Sequence, residues 1–361
     1  MRMIIAGGGT GGHLFPGIAI AEEFLKRNEK NKVLFIGTKR GIESRLLDKF
    51  GYELKKIDVE GVKGRGMKAL IKGAYQIPKS LWQSARILKQ FQPDIVFGVG
   101  GYASGPAVLA AYLMNIPTAI AEQNATPGVT NKILGRFVDK IFVTYAQTQN
   151  CFSKKKVVLS GNPVRASFAV ERIQAKEKKN CRQLLIFGGS QGAEAINKSV
   201  MEMLPQLQSM KDRIRIVHQT GLKQMEEVKK AYRQSGIEAV VTDFIIDMSG
   251  AYAQADLIIC RAGATSLAEI TVAGKAAVLI PYPWAANDHQ LKNALAMSDA
   301  GAAVVIIEKE LSGEKLFGVI DNILRDGEKL RRLEENSARL GKVEAAATIV
   351  DVSVQLVTKK N

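Results

Sequence analysis

The chain has 361 residues, 46% hydrophobic and 24% charged, the balance of folded globular domains and not of a disordered tail. Its 51 Lys and Arg against 35 Asp and Glu leave a net charge of +16, which favours anionic partners: nucleic acid, anionic lipid or phosphorylated substrates. Cys151, Cys181 and Cys260 are too few and too scattered for a disulfide framework or a zinc cluster, and the longest apolar stretch, Gly105 to Ala121, is broken by Asn115 and Pro117, so any membrane contact is peripheral.

Met3–Ala6 reads as a strand and runs straight into Gly7-Gly8-Gly9-Thr10-Gly11-Gly12-His13. Glycine permits positive φ and close approach of backbone to a ligand, and the helix start that follows offers unpaired amides to an anion. A helical pattern covers Gly17–Arg27, and Val33–Gly37 is the next strand. Gly7, Gly9 and Gly12 satisfy G-x-G-x-x-G, a weak sign of a dinucleotide site. No acid follows the second strand to hold a ribose, which disfavours NAD. Lys39-Arg40 could meet a 2′-phosphate, so an NADP-dependent oxidoreductase is an alternative. From Lys63 to Gln90 basic and apolar residues interleave; Lys68, Lys72, Lys79 and Arg86 with Ile71, Tyr75 and Trp82 suit an anionic lipid surface. Ile95–Val99, Thr118–Ala121, Lys140–Val143 and Lys156–Leu159 continue the strands, with Ser104–Met114 helical.

Glu171–Asn180 is a charged stretch that reads as a solvated linker. Strands resume at Gln183–Phe187, Ile214–His218, Ala239–Val241, Leu257–Cys260 and Ala277–Ile280, and Leu311–Val357 is helical in pattern. The strand Gln183–Phe187 opens into a second glycine turn, Gly188-Gly189-Ser190-Gln191-Gly192-Ala193. His218 ends a strand and reads as a structural histidine. Alternating strands and helices imply α/β architecture with parallel sheets, whose ligands sit at the carboxyl ends of strands. Two glycine turns so placed suggest two nucleotide-fold domains and a site handling two phosphate-bearing molecules. With 6% aromatic residues and no basic-aromatic recognition motif, nucleic acid is not the expected partner.

Gly7 to Gly17, with His13-Leu14-Phe15-Pro16, resembles the N-terminal signature of glycosyltransferase family 28. Gly100-Gly101-Tyr102-Ala103-Ser104-Gly105-Pro106, Glu122-Gln123-Asn124, Gly161-Asn162-Pro163-Val164-Arg165, the second glycine turn and Arg261 to Glu269 are similar to further signatures of that family, in family order. The resemblance implies a GT-B fold of two Rossmann-like parallel-sheet domains with an interdomain cleft: residues 1–162 for acceptor and membrane, 163–340 for the UDP-sugar donor, and a helix over 341–361 returning to the first domain. It implies inverting transfer of N-acetylglucosamine from UDP-GlcNAc to the C4 hydroxyl of undecaprenyl-pyrophosphoryl-MurNAc-pentapeptide (lipid I) in peptidoglycan synthesis. The enzyme would work as a peripheral protein on the anionic cytoplasmic face of the cell membrane, alongside other cell-wall synthesis proteins. Another GT-B transferase that glycosylates lipids from a UDP-sugar is the second alternative.

By the same resemblance His13 is the first candidate base, Glu122 the second, and Asn124 positions the acceptor. Gly8, Gly9, Gly100, Gly101 and Tyr102 would cradle the acceptor pyrophosphate. Thr10, Gly11, Gly12, Asn124, Arg165, Ser190, Ile245, Ala264, Thr265, Ser266, Glu269 and Gln290 would contact the donor, with Glu269 accepting from the ribose hydroxyls. His289 stands where the family pattern has another Gln. No Asp-x-Asp motif ends a strand of the donor half, and Asp243 and Asp247 read as loop and cap residues. No metal site and no tightly bound cofactor are therefore expected, although a loosely held magnesium is compatible with this.

Overall fold

The computed structural model describes residues 1–39, 41, 43–59, 66–169, 181–285 and 288–360, and side chains throughout these except 45 and 66–75. Arg40, the stretch 171–180 and the side chains of Lys68, Ile71, Lys72 and Tyr75 lie outside the described residues. The chain divides into two compact units, Met1–Arg165 with Glu344–Asn361, and Ala166–Val343.

The first unit holds seven strands: β1 (Arg2–Gly7), β2 (Lys32–Thr38), β3 (Leu54–Ile57), β4 (Ile95–Gly100), β5 (Thr118–Glu122), β6 (Lys140–Val143) and β7 (Val157–Leu159). They form one sheet in the order β3-β2-β1-β4-β5-β6-β7. In the second unit are β8 (Arg182–Phe187), β9 (Ile214–Gln219), β10 (Ala239–Thr242), β11 (Leu257–Cys260), β12 (Ala276–Leu279) and β13 (Ala303–Val305), ordered β10-β9-β8-β11-β12-β13. Every described pairing is parallel. The central strands are buried apolar runs, such as Met3–Ala6 and Leu184–Phe187, because helices cover both faces of a parallel sheet. Phe97 and Phe142 stack at 5.6 Å within the first core.

Two strands escape the sequence pattern. β3 carries exposed Lys55 and Lys56 and fully buries only Ile57, and β13 has three residues, so neither shows a readable run of apolar side chains. Both lie at the sheet edges, where exposure is tolerated. The first helix also begins earlier than its apolar pattern, at Gly11, and runs through Pro16 to Arg27. The C-terminal helical region is three helices, Gly313–Arg325, Gly327–Leu340 and Ala345–Lys360. Ser312 and Asp326 cap the first two by accepting from the Lys315 and Lys329 amides. The last belongs to the first unit, where Lys360 pairs with Asp139 at 3.0 Å and Asp351 with Arg27 at 3.1 Å.

One device recurs at the amino edge of both sheets. Asp94, just before β4, accepts from the Arg2 amide at 2.7 Å. Asp139, before β6, accepts from the Thr118 amide at 2.9 Å and its hydroxyl at 3.1 Å. Asp256, before β11, accepts from the Gln183 amide at 2.7 Å and pairs with Arg182 at 2.9 Å. Each carboxylate caps the neighbouring parallel strand one position before the ladder begins, so it fixes register. A charge-assisted bond of this kind contributes about 1.5–3 kcal/mol. Asp256→Ala is expected to lower unfolding stability by about that amount, measured as a lower urea midpoint with unchanged m.

Candidate active site

Strand order reverses between β1 and β4 in one sheet and between β8 and β11 in the other. Crossovers leave from opposite faces at such a point, and the loops beyond the carboxyl ends part to admit a ligand. The first glycine turn and Gly100-Gly101-Tyr102 stand at the first reversal. The second glycine turn and the Arg261–Ala264 segment stand at the other.

In the first unit, His13 lies in the opening turn of helix Gly11–Arg27, whose N-cap Thr10 makes no side-chain capping bond. The imidazole rests on Gly100. A Cβ there would come within 2.7 Å of His13 Nδ1, and Gly100 has φ of +96°, so both the ring and the backbone demand glycine. Burial pulls the His13 pKa below its usual value. The Glu122 carboxylate, the Gln123 side chain, the Val99 carbonyl and Glu43 pull the other way, in that order.

Glu122 ends β5 with both oxygens occupied. One accepts from the Asn124 amide at 3.0 Å and the Asn124 side chain at 3.3 Å; the other accepts from the Gly128 amide at 3.0 Å and Asn131 at 2.8 Å. Four donors on one buried carboxylate make it a brace for the Glu122–Gly128 loop, and they leave it poorly placed to take a substrate proton. Thr148 donates to the Asn124 and Ala125 carbonyls and secures the same loop.

Glu43 escaped the sequence reading. It is buried and accepts from the Gly9 amide at 2.7 Å, the Thr38 amide at 2.8 Å and the Thr38 hydroxyl at 3.0 Å. The Gly9 amide, expected to face a pyrophosphate, is therefore spent inside the protein. A dinucleotide phosphate at this turn would meet a carboxylate, which counts against the oxidoreductase alternative. No local pattern betrays Glu43, because it reaches the turn across 34 residues of chain. Tyr102 is exposed beside the Gly100–Gly101 turn. Arg165 lays its guanidinium over Phe15 at 5.4 Å and Phe50 at 5.5 Å.

In the second unit, the glycine turn interlocks with the segment Gln219-Thr220-Gly221. A Cβ on Gly192 would fall 1.8 Å from the Thr220 carbonyl oxygen, so backbone packs directly on backbone there. Gln219 ties this turn to the segment after β10. Its amide donates to the Gly189 carbonyl at 2.7 Å, and its oxygen accepts from the Ile245 amide at 3.3 Å. Beneath lies His218, fully buried between Tyr232 (3.1 Å) and Asn197 (3.0 Å), its pKa pushed down to about 3 by burial. It is neutral and structural. Asp247 caps helix Met248–Gln254 by accepting from the Gly250 amide, and the helix places Tyr252 in the core.

Helix Ala264–Ala273 begins at N-cap Gly263, which has no side chain to cap the amides of its first turn. Thr265 and Ser266 sit in that turn, and Glu269 one turn on. Tyr252 donates its hydroxyl to Glu269 Oε2 at 3.3 Å, which aligns the carboxylate. Arg261 pairs with Glu308, donates to the Ile280 carbonyl at 3.2 Å and lies over Tyr282 at 5.3 Å. It thereby holds the segment that leads to Gln290. The Gln290 oxygen accepts from the Tyr282 amide at 3.0 Å, which leaves its NH2 as the group to offer a hydroxyl. The first unit thus contains His13, Asn124, Glu122, Thr10 to Gly12 and Arg165, whereas Ser190, Ile245, Ala264 to Ser266, Glu269 and Gln290 belong to the second.

Residues 3–143 match the glycosyltransferase family 28 N-terminal domain and residues 183–350 the C-terminal domain of the same family. The chain is 53% identical over 357 residues to the UDP-N-acetylglucosamine–N-acetylmuramyl-(pentapeptide) pyrophosphoryl-undecaprenol N-acetylglucosamine transferase of Syntrophus aciditrophicus, covering 99% of each. It is 49% identical to the transferase of the same name from Myxococcus xanthus, covering 99% of this chain and 94% of that one. The crystal structure of Acinetobacter baumannii MurG superposes with a TM-score of 0.75 at 31% identity, covering 98% of this chain and 99% of that one. A UDP-GlcNAc 2-epimerase from Neisseria meningitidis, at 13% identity and TM-score 0.69, over 98% of this chain and all of its own, shares the fold.

Gln219→Leu removes the tie between the second glycine turn and Ile245 while leaving β9 paired. About tenfold weaker binding of UDP is expected, the effect of one lost buried hydrogen-bond partner, measured by isothermal titration calorimetry.

Proposed function

The chain belongs to glycosyltransferase family 28, and on that premise we propose that it transfers N-acetylglucosamine from UDP-GlcNAc to the C4 hydroxyl of undecaprenyl-pyrophosphoryl-MurNAc-pentapeptide, inverting the anomeric carbon. The observation that carries this reading is 53% identity, end to end, to a transferase of that name.

The donor is assigned to the second unit. Amides of the second glycine turn, the Ser190 hydroxyl and the helix start at Ala264, Thr265 and Ser266 bind the diphosphate. They also stabilise its charge as UDP leaves, which is the main electrostatic requirement of the reaction. Glu269, aligned by Tyr252, accepts from the ribose hydroxyls. Ile245, whose amide is bonded to Gln219, is assigned to the base through its backbone. Gln290 offers its NH2 to the sugar.

The acceptor is assigned to the first unit. Gly100, Gly101 and Tyr102, with the start of helix Gly11–Arg27, meet its pyrophosphate. Asn124 orients the attacking hydroxyl, and His13 takes its proton as the bond to the anomeric carbon forms. Low pKa keeps the imidazole unprotonated and ready at neutral pH, and activity is expected to fall only as pH drops through that lowered value. Glu122 serves by holding Asn124.

Lipid contact is assigned to helix Gly66–Phe91. Among the described residues no helix is long and apolar enough to cross a membrane; the contact proposed is peripheral, at the cytoplasmic face. Trp82 is 64% exposed and Ile77 52%. Arg86 lies over Trp82 at 5.9 Å. Lys79 pairs with Asp58 at 2.9 Å, as Lys39 does at 2.7 Å, so its charge is partly neutralised within the fold.

With a short-chain lipid acceptor and a panel of UDP-sugars, UDP release is expected with UDP-GlcNAc in preference to UDP-glucose or UDP-galactose; equal rates would overturn the donor assignment. His13→Ala is expected to lower kcat by about 10²–10⁴-fold with KM for UDP-GlcNAc little changed. Trp82→Ala is expected to weaken sedimentation with anionic vesicles, and salt to weaken it further, each basic residue at such a surface being worth about 1 kcal/mol.

A further inference from the structure

Two side chains that interact beside the first glycine turn, His13 and Gln123, each keep a buried polar atom without a normal hydrogen bond. His13 Nδ1 makes no hydrogen bond of normal geometry, and neither does Gln123 Oε1, although both atoms are buried. Gln123 is itself almost wholly buried, in the chain between Glu122 and Asn124. Its amide nitrogen is committed, donating to the Val99 carbonyl at 3.1 Å. That bond orients the side chain and leaves the oxygen as an acceptor with nothing to accept. The Gln123 side chain and the Val99 carbonyl are the hydrogen-bonding groups beside the imidazole. An unpaired buried acceptor costs about 1–3 kcal/mol, so its retention here calls for a reason.

We propose that Gln123 is a positioning residue that keeps His13 in the tautomer protonated on Nδ1, so that Nε2 carries the lone pair. A neutral imidazole has one donor and one acceptor nitrogen, and the partner of one decides the role of the other. Two acceptors, Gln123 Oε1 and the Val99 carbonyl, act on the ring, and Nδ1 is its buried nitrogen without a normal bond, so we assign them to Nδ1; a proton there satisfies them, and a lone pair would repel both. This rests on the assignment of His13 as the base. The acceptor hydroxyl proton then passes to Nε2 while the oxygen bonds to the anomeric carbon. The bond from that carbon to the UDP oxygen breaks, and its electron pair leaves with UDP. The resulting imidazolium donates from Nδ1 to Gln123, and a small ring movement brings the two orphaned atoms into bonding geometry. Glu122 and Glu43 are the charged groups that act on the ring, and both favour the imidazolium. Gly100 admits the ring to this position, since any side chain there would displace it.

The test starts with the unaltered protein. It has three histidines, so its imidazole ¹⁵N signals are few enough to assign by His→Gln replacement. Long-range ¹H–¹⁵N spectra above the His13 midpoint are expected to show Nδ1 protonated and Nε2 bare; the reverse pattern overturns the proposal. Gln123→Glu puts a carboxylate at the same acceptor and is expected to raise the His13 midpoint and to move the acidic limb of kcat/KM up by the same interval. An unmoved His13 midpoint in that variant also overturns it. Gln123→Leu is expected to lower kcat by about 10²-fold, the lower range for general-base catalysis, with KM for UDP-GlcNAc within about twofold. Near-normal turnover in His13→Ala would remove His13 as the base, and the tautomer spectrum would still decide whether Gln123 orients the ring.

Discussion

Both units depend on one topological constraint, the reversal of strand order beside the first strand of each sheet. Parallel strands need crossovers, and crossovers of one hand reverse faces only where the order reverses. At that point two loops end together with no sheet between them. Their amides cannot join a ladder, so they are available to ligands or must be satisfied by side chains. The aspartates at the opposite edge make the constraint exact in position. By capping the Arg2, Thr118 and Gln183 amides they set register, and register sets where each strand delivers its loop.

Loops so delivered carry backbone groups in need of partners, and much of the charged and polar equipment of the site meets that need. Glu122 binds four donors and Glu43 three. Gln219 joins two loops, and Tyr252 steadies Glu269. These side chains stand next to the groups assigned to chemistry and hold them by contacts that a substrate has no need to break. The distinction matters for carboxylates. Glu122 has the residue type of a general base, but its lone pairs are already engaged. Glu269, one turn into its helix, is aligned by the Tyr252 hydroxyl, and we assign it to the ribose. His13 differs from all of them in having a ring nitrogen with acceptors nearby and no settled bond.

The structural neighbours sharpen the relation of fold to activity. A 2-epimerase at 13% identity shares the architecture, so two parallel sheets with turns at their reversals do not by themselves select a reaction. In this chain the first unit carries His13 on the helix start, Gly100 beneath it, and the braced Glu122–Asn124 segment.

The sequence alone determined the features that depend on short stretches of chain. Buried strands announced themselves as apolar runs, and the two anion-type turns as glycine clusters after them. The order of motifs was enough to identify the family resemblance. Tertiary structure decided everything that needs two distant segments to meet. Glu43 reaches the Gly9 amide, Lys79 turns to Asp58, and Gln219 spans Gly189 and Ile245, none of which has a local signature. β3 and β13 were invisible for a related reason: a short edge strand is stabilised by its neighbour's hydrogen bonds and needs few buried side chains of its own. Local propensity and pattern are written residue by residue, whereas hydrogen-bond partners across 20 or 30 positions exist only after the chain has packed.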